Sequence, residues 1–80
     1  MMTTSRYIEF SLAGQGKKTQ IWHVHSKNHG SFLGYIKWFG RWRQYVFFPA
    51  AETAWNPECL RDICDFIKGL MDDRRKGKLR

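Results

Sequence analysis

The two prolines of this 80-residue chain, Pro49 and Pro57, bracket the place where its hydrophobic pattern changes period. Before Pro49 apolar residues recur at every second position, the spacing of a strand with one face buried; after Pro57 they recur at every third and fourth, the spacing of a helix. A sheet with one apolar face and a helix with one apolar stripe must cover each other. The pattern therefore predicts an α+β fold: an antiparallel sheet of three to four strands, connected as a meander and packed on one C-terminal amphipathic helix. Eighty residues allow one core, so residues 1–80 are read as a single domain.

Within that frame, residues 6–12 alternate Ile8, Phe10 and Leu12 against Tyr7, Glu9 and Ser11. Gly14 and Gly16 supply a turn before a second strand at about 19–25, in which Trp22 and Val24 share the inner face. A polar turn follows, and a third strand at about 32–39 sets Phe32, Ile36 and Trp38 against Leu33, Tyr35 and Lys37. Gly40-Arg41 turns the chain into a fourth strand at about 42–48, which Pro49 ends because it cannot donate to a ladder. Its facing has two solutions. Turning Tyr45 and Phe47 inward would also carry Arg43 toward the core, so Trp42, Val46 and Phe48 are expected inside and Arg43 outside.

Asn56-Pro57-Glu58 starts the helix, with a capping oxygen, a proline at the first turn and an early acid. It is expected over about 57–74, with Leu60, Ile63, Cys64, Ile67, Leu70 and Met71 facing the sheet and a basic tail at 74–80. Aromatics make up 16% of the chain, and burying these rings is what offsets the ordering entropy of so small a domain.

No apolar run approaches the ~18 residues that cross a bilayer, and the first residues lack the apolar stretch of a secretory signal. The expectation is a cytoplasmic protein of a bacterial host cell with no membrane partner. Cys59 and Cys64 lie five apart, about 140° around a helix, so they are expected to be separate reduced thiols, with Cys64 buried and inert.

Charge is uneven. The chain carries +7, and residues 1–50 hold seven basic side chains against Glu9 alone, a net +6. If the faces are as read, the side away from the helix collects Tyr35, Tyr45, His23, His25, Lys37, Arg41 and Arg43. Cations neutralise phosphates and rings stack on bases, so these seven are the candidate nucleic-acid-binding residues. An ordinary solvated sheet face has the same residue types. His23 and His25 project together with His29 near, but neither cysteine faces them, so exposed histidines are expected and no metal. No nucleophile elbow, Walker loop or dinucleotide glycine pattern is present, and neither catalysis nor a cofactor is expected.

Leu33-Gly34-Tyr35-Ile36-Lys37-Trp38, Trp42-Arg43-Gln44-Tyr45, Phe48-Pro49 and Cys59-Leu60-Arg61-Asp62-Ile63 resemble small proteins carried by bacteriophages and integrated mobile elements, over about two-thirds of the chain. The resemblance implies a phage or prophage origin and no particular activity. More loosely, three strands followed by one helix resemble the arm-type DNA-binding domain of tyrosine integrases, whose sheet enters the major groove. The expected function is a non-catalytic nucleic-acid-binding module, with DNA favoured. The alternative is a phage-encoded accessory that binds a host or phage protein, as a monomer or a homodimer paired through an edge strand.

Overall fold

The computed structural model describes residues 7–76. Four strands, β1 (Ile8–Gln15), β2 (Gln20–Ser26), β3 (Phe32–Phe39) and β4 (Gln44–Pro49), precede one helix, α1 (Pro57–Arg75). The strands pair antiparallel in sequence order, β1-β2-β3-β4. This is the four-stranded meander with one C-terminal helix that the change of period implies.

The inner face is read from the register. Phe10 stands opposite Val24, Val24 opposite Gly34, Trp22 opposite Ile36, and Ile36 opposite Phe47. Val24 and Ile36, on the two central strands, are fully buried and form the core with Ile8, Tyr45, Cys59, Ile63 and Leu70. At ~1.5–3 kcal/mol for each large apolar side chain removed from water, this small cluster and its flanking rings supply most of the drive to fold.

The helix starts as its sequence requires. The Asn56 side chain accepts a hydrogen bond from the Cys59 N–H at 2.8 Å, Pro57 opens the first turn, and Arg74 and Arg75 occupy the last turn, where cations meet the negative end of the helix dipole. Its buried stripe is rotated from the expected one. Cys59, Ile63 and Leu70 are buried, while Leu60 and Cys64 are exposed. The cause is Phe66, whose ring lies flat on Phe10 at 4.0 Å and meets the edge of Trp22 at 5.1 Å, so the aromatic contact sets the rotation.

The facing of β4 is likewise the reverse of the expectation. Tyr45 is 3% exposed and packs edge-on against Trp38, Phe47 packs against Trp55, and Val46 and Phe48 lie on the other side. Arg43 does not obstruct this solution because it lies outside the strand, in the left-handed region at φ 56° within the Gly40–Arg43 turn. Tyr45 also places its hydroxyl 3.1 Å from the backbone N–H of Gln20 and accepts that hydrogen bond, tying β4 to the start of β2 beneath β3. A ring that buries its face and satisfies an otherwise orphaned N–H outweighs the alternative with Gln44 inward.

β3 opens with a bulge. His25 pairs with Phe32 and Val24 with Gly34, which leaves Leu33 as the extra residue. Phe32, expected inside, is turned out beside the histidines and is 44% exposed, while Leu33 packs on the core. The bulge depends on Gly34, whose φ of +150° belongs to a region reserved for glycine and whose missing Cβ would sit 2.6 Å from the Phe48 carbonyl oxygen.

Candidate nucleic-acid interface

The side of the sheet away from α1 is built by the alternate residues of the same ladder. Ser11, His23, Tyr35 and Phe48 stand opposite one another across all four strands, forming one lateral row. Glu9, His25 and Phe32 form the next row, and Lys37 stands opposite Val46 in the row on the other side.

Rings dominate this surface. Phe32 meets His23 at 5.1 Å and His25 at 5.9 Å, both edge-on. Tyr35 and Phe48 lie nearly parallel at 5.0 Å, Phe48 meets Phe39 at 6.2 Å, and Phe39 meets Trp42 at 4.9 Å. The two groups adjoin through the His23–Tyr35 pair, so an aromatic band crosses the open side from Phe32 to Trp42. At its ends the rings are most open, with Trp42 60% exposed. The rings between Phe32 and Trp42 are half-buried.

The cations are arranged differently from the expectation. Lys37 is exposed on the open side, beside the aromatic band. Arg41 is exposed in the β3–β4 turn, at the edge of that side. Arg43 turns toward the helix and lines a hollow with Trp38, Met71, Arg74 and Arg75. Of the seven candidate residues, the fold therefore brings His23, His25, Tyr35 and Lys37 together on the open side, sets Arg41 at its rim, and removes Arg43 and Tyr45 from it. Phe32, Phe39, Phe48 and Trp42 take their places. For Phe48 the signal was present in the alternation of β4, read in the other of its two phases; for Phe32 it is hidden by the bulge.

The basic residues concentrate at one end of the molecule. β1 and β3 run toward that end and β2 and β4 leave it, so both of its turns and the C-terminus of α1 meet there. Lys17, Lys18, Arg41, Arg43, Arg74, Arg75 and Lys76 lie at this pole, half of the chain's fourteen Lys and Arg. Arg74 joins the parts: its Nη1 donates to the Lys18 carbonyl at 2.9 Å and its guanidinium lies 4.1 Å over the Trp38 ring.

A second surface lies between α1 and the edge strand β4. Phe47, Leu60, Ile63, Cys64, Ile67 and Met71 line an open groove of about 790 Å3, rimmed by Gln44, Lys68, Asp72 and Arg75. Cys59, on the buried face of α1, has its thiol pKa raised by burial. Among the described residues no group of three or more His, Cys, Asp or Glu is placed to hold a metal ion, and no helix is long and apolar enough to cross a membrane.

Over 74 residues, the chain is 35% identical to an uncharacterized 9.3 kDa protein of Acholeplasma phage L2, a match that covers 91% of this chain and 95% of the phage protein. The chain belongs to the family of that phage protein. No family model matches the sequence. No solved structure matches it. The phage resemblance drawn from the sequence thus has a named relative, whereas the likeness to integrase arm domains gains no support from it.

Proposed function

We propose that this phage-family protein is a non-catalytic nucleic-acid-binding module that takes a single strand on the open side of its sheet. The observation that carries the reading is the aromatic band from Phe32 to Trp42, flanked by Lys37 and ending at the basic pole. Bases in a duplex hide their faces in the stack, whereas those of a single strand offer them to protein rings, each stacked base being worth ~1–3 kcal/mol. Lys37 and Arg41 stand where phosphates of such a strand pass, and His23 and His25 add donors.

The test is fluorescence anisotropy of labelled single- and double-stranded DNA and RNA at rising salt. Single strands are expected to bind more tightly than duplexes, with Phe32→Ala weakening binding about 5- to 150-fold through lost stacking. Lys37→Ala is expected to lower the salt slope by about 0.7. No binding at low salt to any of the four would defeat the proposal.

The groove between α1 and β4 supports a second reading, a phage-encoded accessory that binds a host or phage protein, because Leu60 is 49% exposed and Cys64 stands beside it on an otherwise apolar wall. Leu60→Asp separates the two. Loss of a nuclease-resistant protein complex with nucleic-acid affinity unchanged favours the second reading; unchanged complexes count against it.

A further inference from the structure

The basic pole contains a built hollow that lies on the helix side of the sheet, away from the aromatic band. Its volume is about 290 Å3, and it is lined by Trp38 of β3, Arg43 of the β3–β4 turn, and Met71, Arg74 and Arg75 of α1. We infer that this hollow is a phosphate-binding site in which Arg43, Arg74 and Arg75 converge on one anion over the Trp38 ring.

Charge points this way first. Three arginines line one hollow, and among the described residues the ion pair they make is Arg75 with Asp72, at 3.3 Å and largely exposed. Arg43 and Arg74 are in no ion pair among the described residues, so the hollow keeps an excess of two positive charges. Guanidinium forks match the oxygen geometry of phosphate and tolerate partial desolvation better than ammonium groups do.

Preorganisation points the same way. Arg74 is held by its stack on Trp38 at 4.1 Å and its hydrogen bond to the Lys18 carbonyl at 2.9 Å, so it is set before any ligand arrives. Arg74 and Arg75 by themselves have an ordinary role, since cations stabilise the C-terminus of a helix. Arg43 has no such role. It comes from another element and adopts φ 56°, which L side chains other than Asn and Asp take at a cost, and its backbone is fixed there by hydrogen bonds from its N–H to the carbonyls of Phe39 at 2.9 Å and Gly40 at 3.2 Å. A long cation kept where Asn or Gly would be easier, and lining one hollow with two further arginines, supports a ligand site.

The phosphate comes from one of two sources: the backbone of a bound strand, which rests on the reading above, or a free phosphorylated molecule. In the first case the strand passes from Trp42 over the turn to Arg43, because these neighbours stand on opposite sides of the sheet.

The experiment follows the Trp38 indole N–H in the full chain by NMR, assigned by its loss in Trp38→Phe, while pyrophosphate and then a ten-residue oligothymidylate are added. A saturable shift with both, weakened several-fold in Arg43→Asn and Arg75→Gln, is the expected result. Arg43→Asn suits the left-handed backbone and Arg75 is exposed, so both variants keep the fold, as amide spectra will show. The salt slope for the oligonucleotide should fall by about 0.7 in each. A shift with pyrophosphate and none with the oligonucleotide keeps the site and assigns it to a free phosphorylated ligand. An indole signal that moves with neither, or moves in both variants as it does in the wild type, overturns the proposal, and signals of Phe32 and Lys37 report separately on the sheet surface.

Discussion

Replacing Gly34 by alanine tests the bulge that turns Phe32 outward, and the structure supplies the size of the effect. An alanine there would hold φ near +150°, a region costing a residue with a side chain ~1–3 kcal/mol. Its Cβ would meet the Phe48 carbonyl oxygen at 2.6 Å and Cε1 of Phe47 at 2.8 Å. Neither neighbour yields easily, for Phe48 belongs to the β3–β4 ladder and the Phe47 ring is braced against Trp55 at 5.0 Å. Such overpacking adds ~1–3 kcal/mol, so the substitution is expected to cost about 4 kcal/mol in all. Against a total of ~4–12 kcal/mol for 80 residues, that is a lowering of Tm by roughly 15–30 °C. Two glycines serve as controls, since a Cβ at Gly30 or at Gly40 meets nothing within 4 Å. Gly30, at φ +68°, should show the backbone cost alone, ~1 kcal/mol, and Gly40→Ala should be neutral or slightly stabilising. Urea unfolding followed by tryptophan fluorescence measures all three. A Gly34→Ala variant no less stable than Gly30→Ala would refute the steric argument and the bulge geometry behind it.

Other expectations concern the joints of the fold. Tyr45→Phe leaves the buried Gln20 N–H without its acceptor, beside a Gln20 Nε2 that has no hydrogen-bond partner, and should cost ~1–3 kcal/mol in the same unfolding assay. Asn56→Ala removes the helix cap and should cost ~1 kcal/mol, with no change in binding to nucleic acid. Cys64 should react with a thiol reagent at once and Cys59 only on unfolding, giving two phases of equal amplitude. Burial raises the Cys59 pKa above its unfolded value, so its stabilisation is complete below the ordinary thiol range and is lost as pH rises through the folded pKa; the gap in unfolding free energy between wild type and Cys59→Ala should narrow above about pH 8.5.

How far the residues alone disclose this molecule depends on the length scale of the signal. The order of elements was legible because alternation and helical spacing are local, and Asn56-Pro57-Glu58 marks the helix start within three residues. Facing was legible where one phase puts only apolar side chains inside, as for Ile8 and Phe10. It was not legible in β4, where both phases contain rings and the choice turned on Arg43; a positive φ in the preceding turn frees Arg43 from the strand, and no local pattern announces it. Leu33 as the extra residue of a bulge was equally hidden, although Gly34 beside it is the kind of residue bulges use. The helix rotation follows from the fit of Phe66 against Phe10 and Trp22, a contact between residues far apart in the chain. The candidate surface inherited these errors. His23, His25, Tyr35 and Lys37 were found on the open side, while Arg43 and Tyr45 had to be exchanged for Phe32, Phe39, Phe48 and Trp42. The basic pole escaped sequence reasoning because its residues come from the two turns and the helix end, which only the meander brings together.

The proposed function stands or falls on whether a single strand lies along the band of rings opposite the helix. An NMR titration of the labelled chain with oligothymidylate maps this residue by residue. Shifts concentrated at His23, His25, Phe32, Tyr35, Lys37 and Phe48, with Leu60, Cys64 and Ile67 unmoved, are the predicted result. Shifts confined to the groove along the helix, or no shifts at low salt, would contradict it.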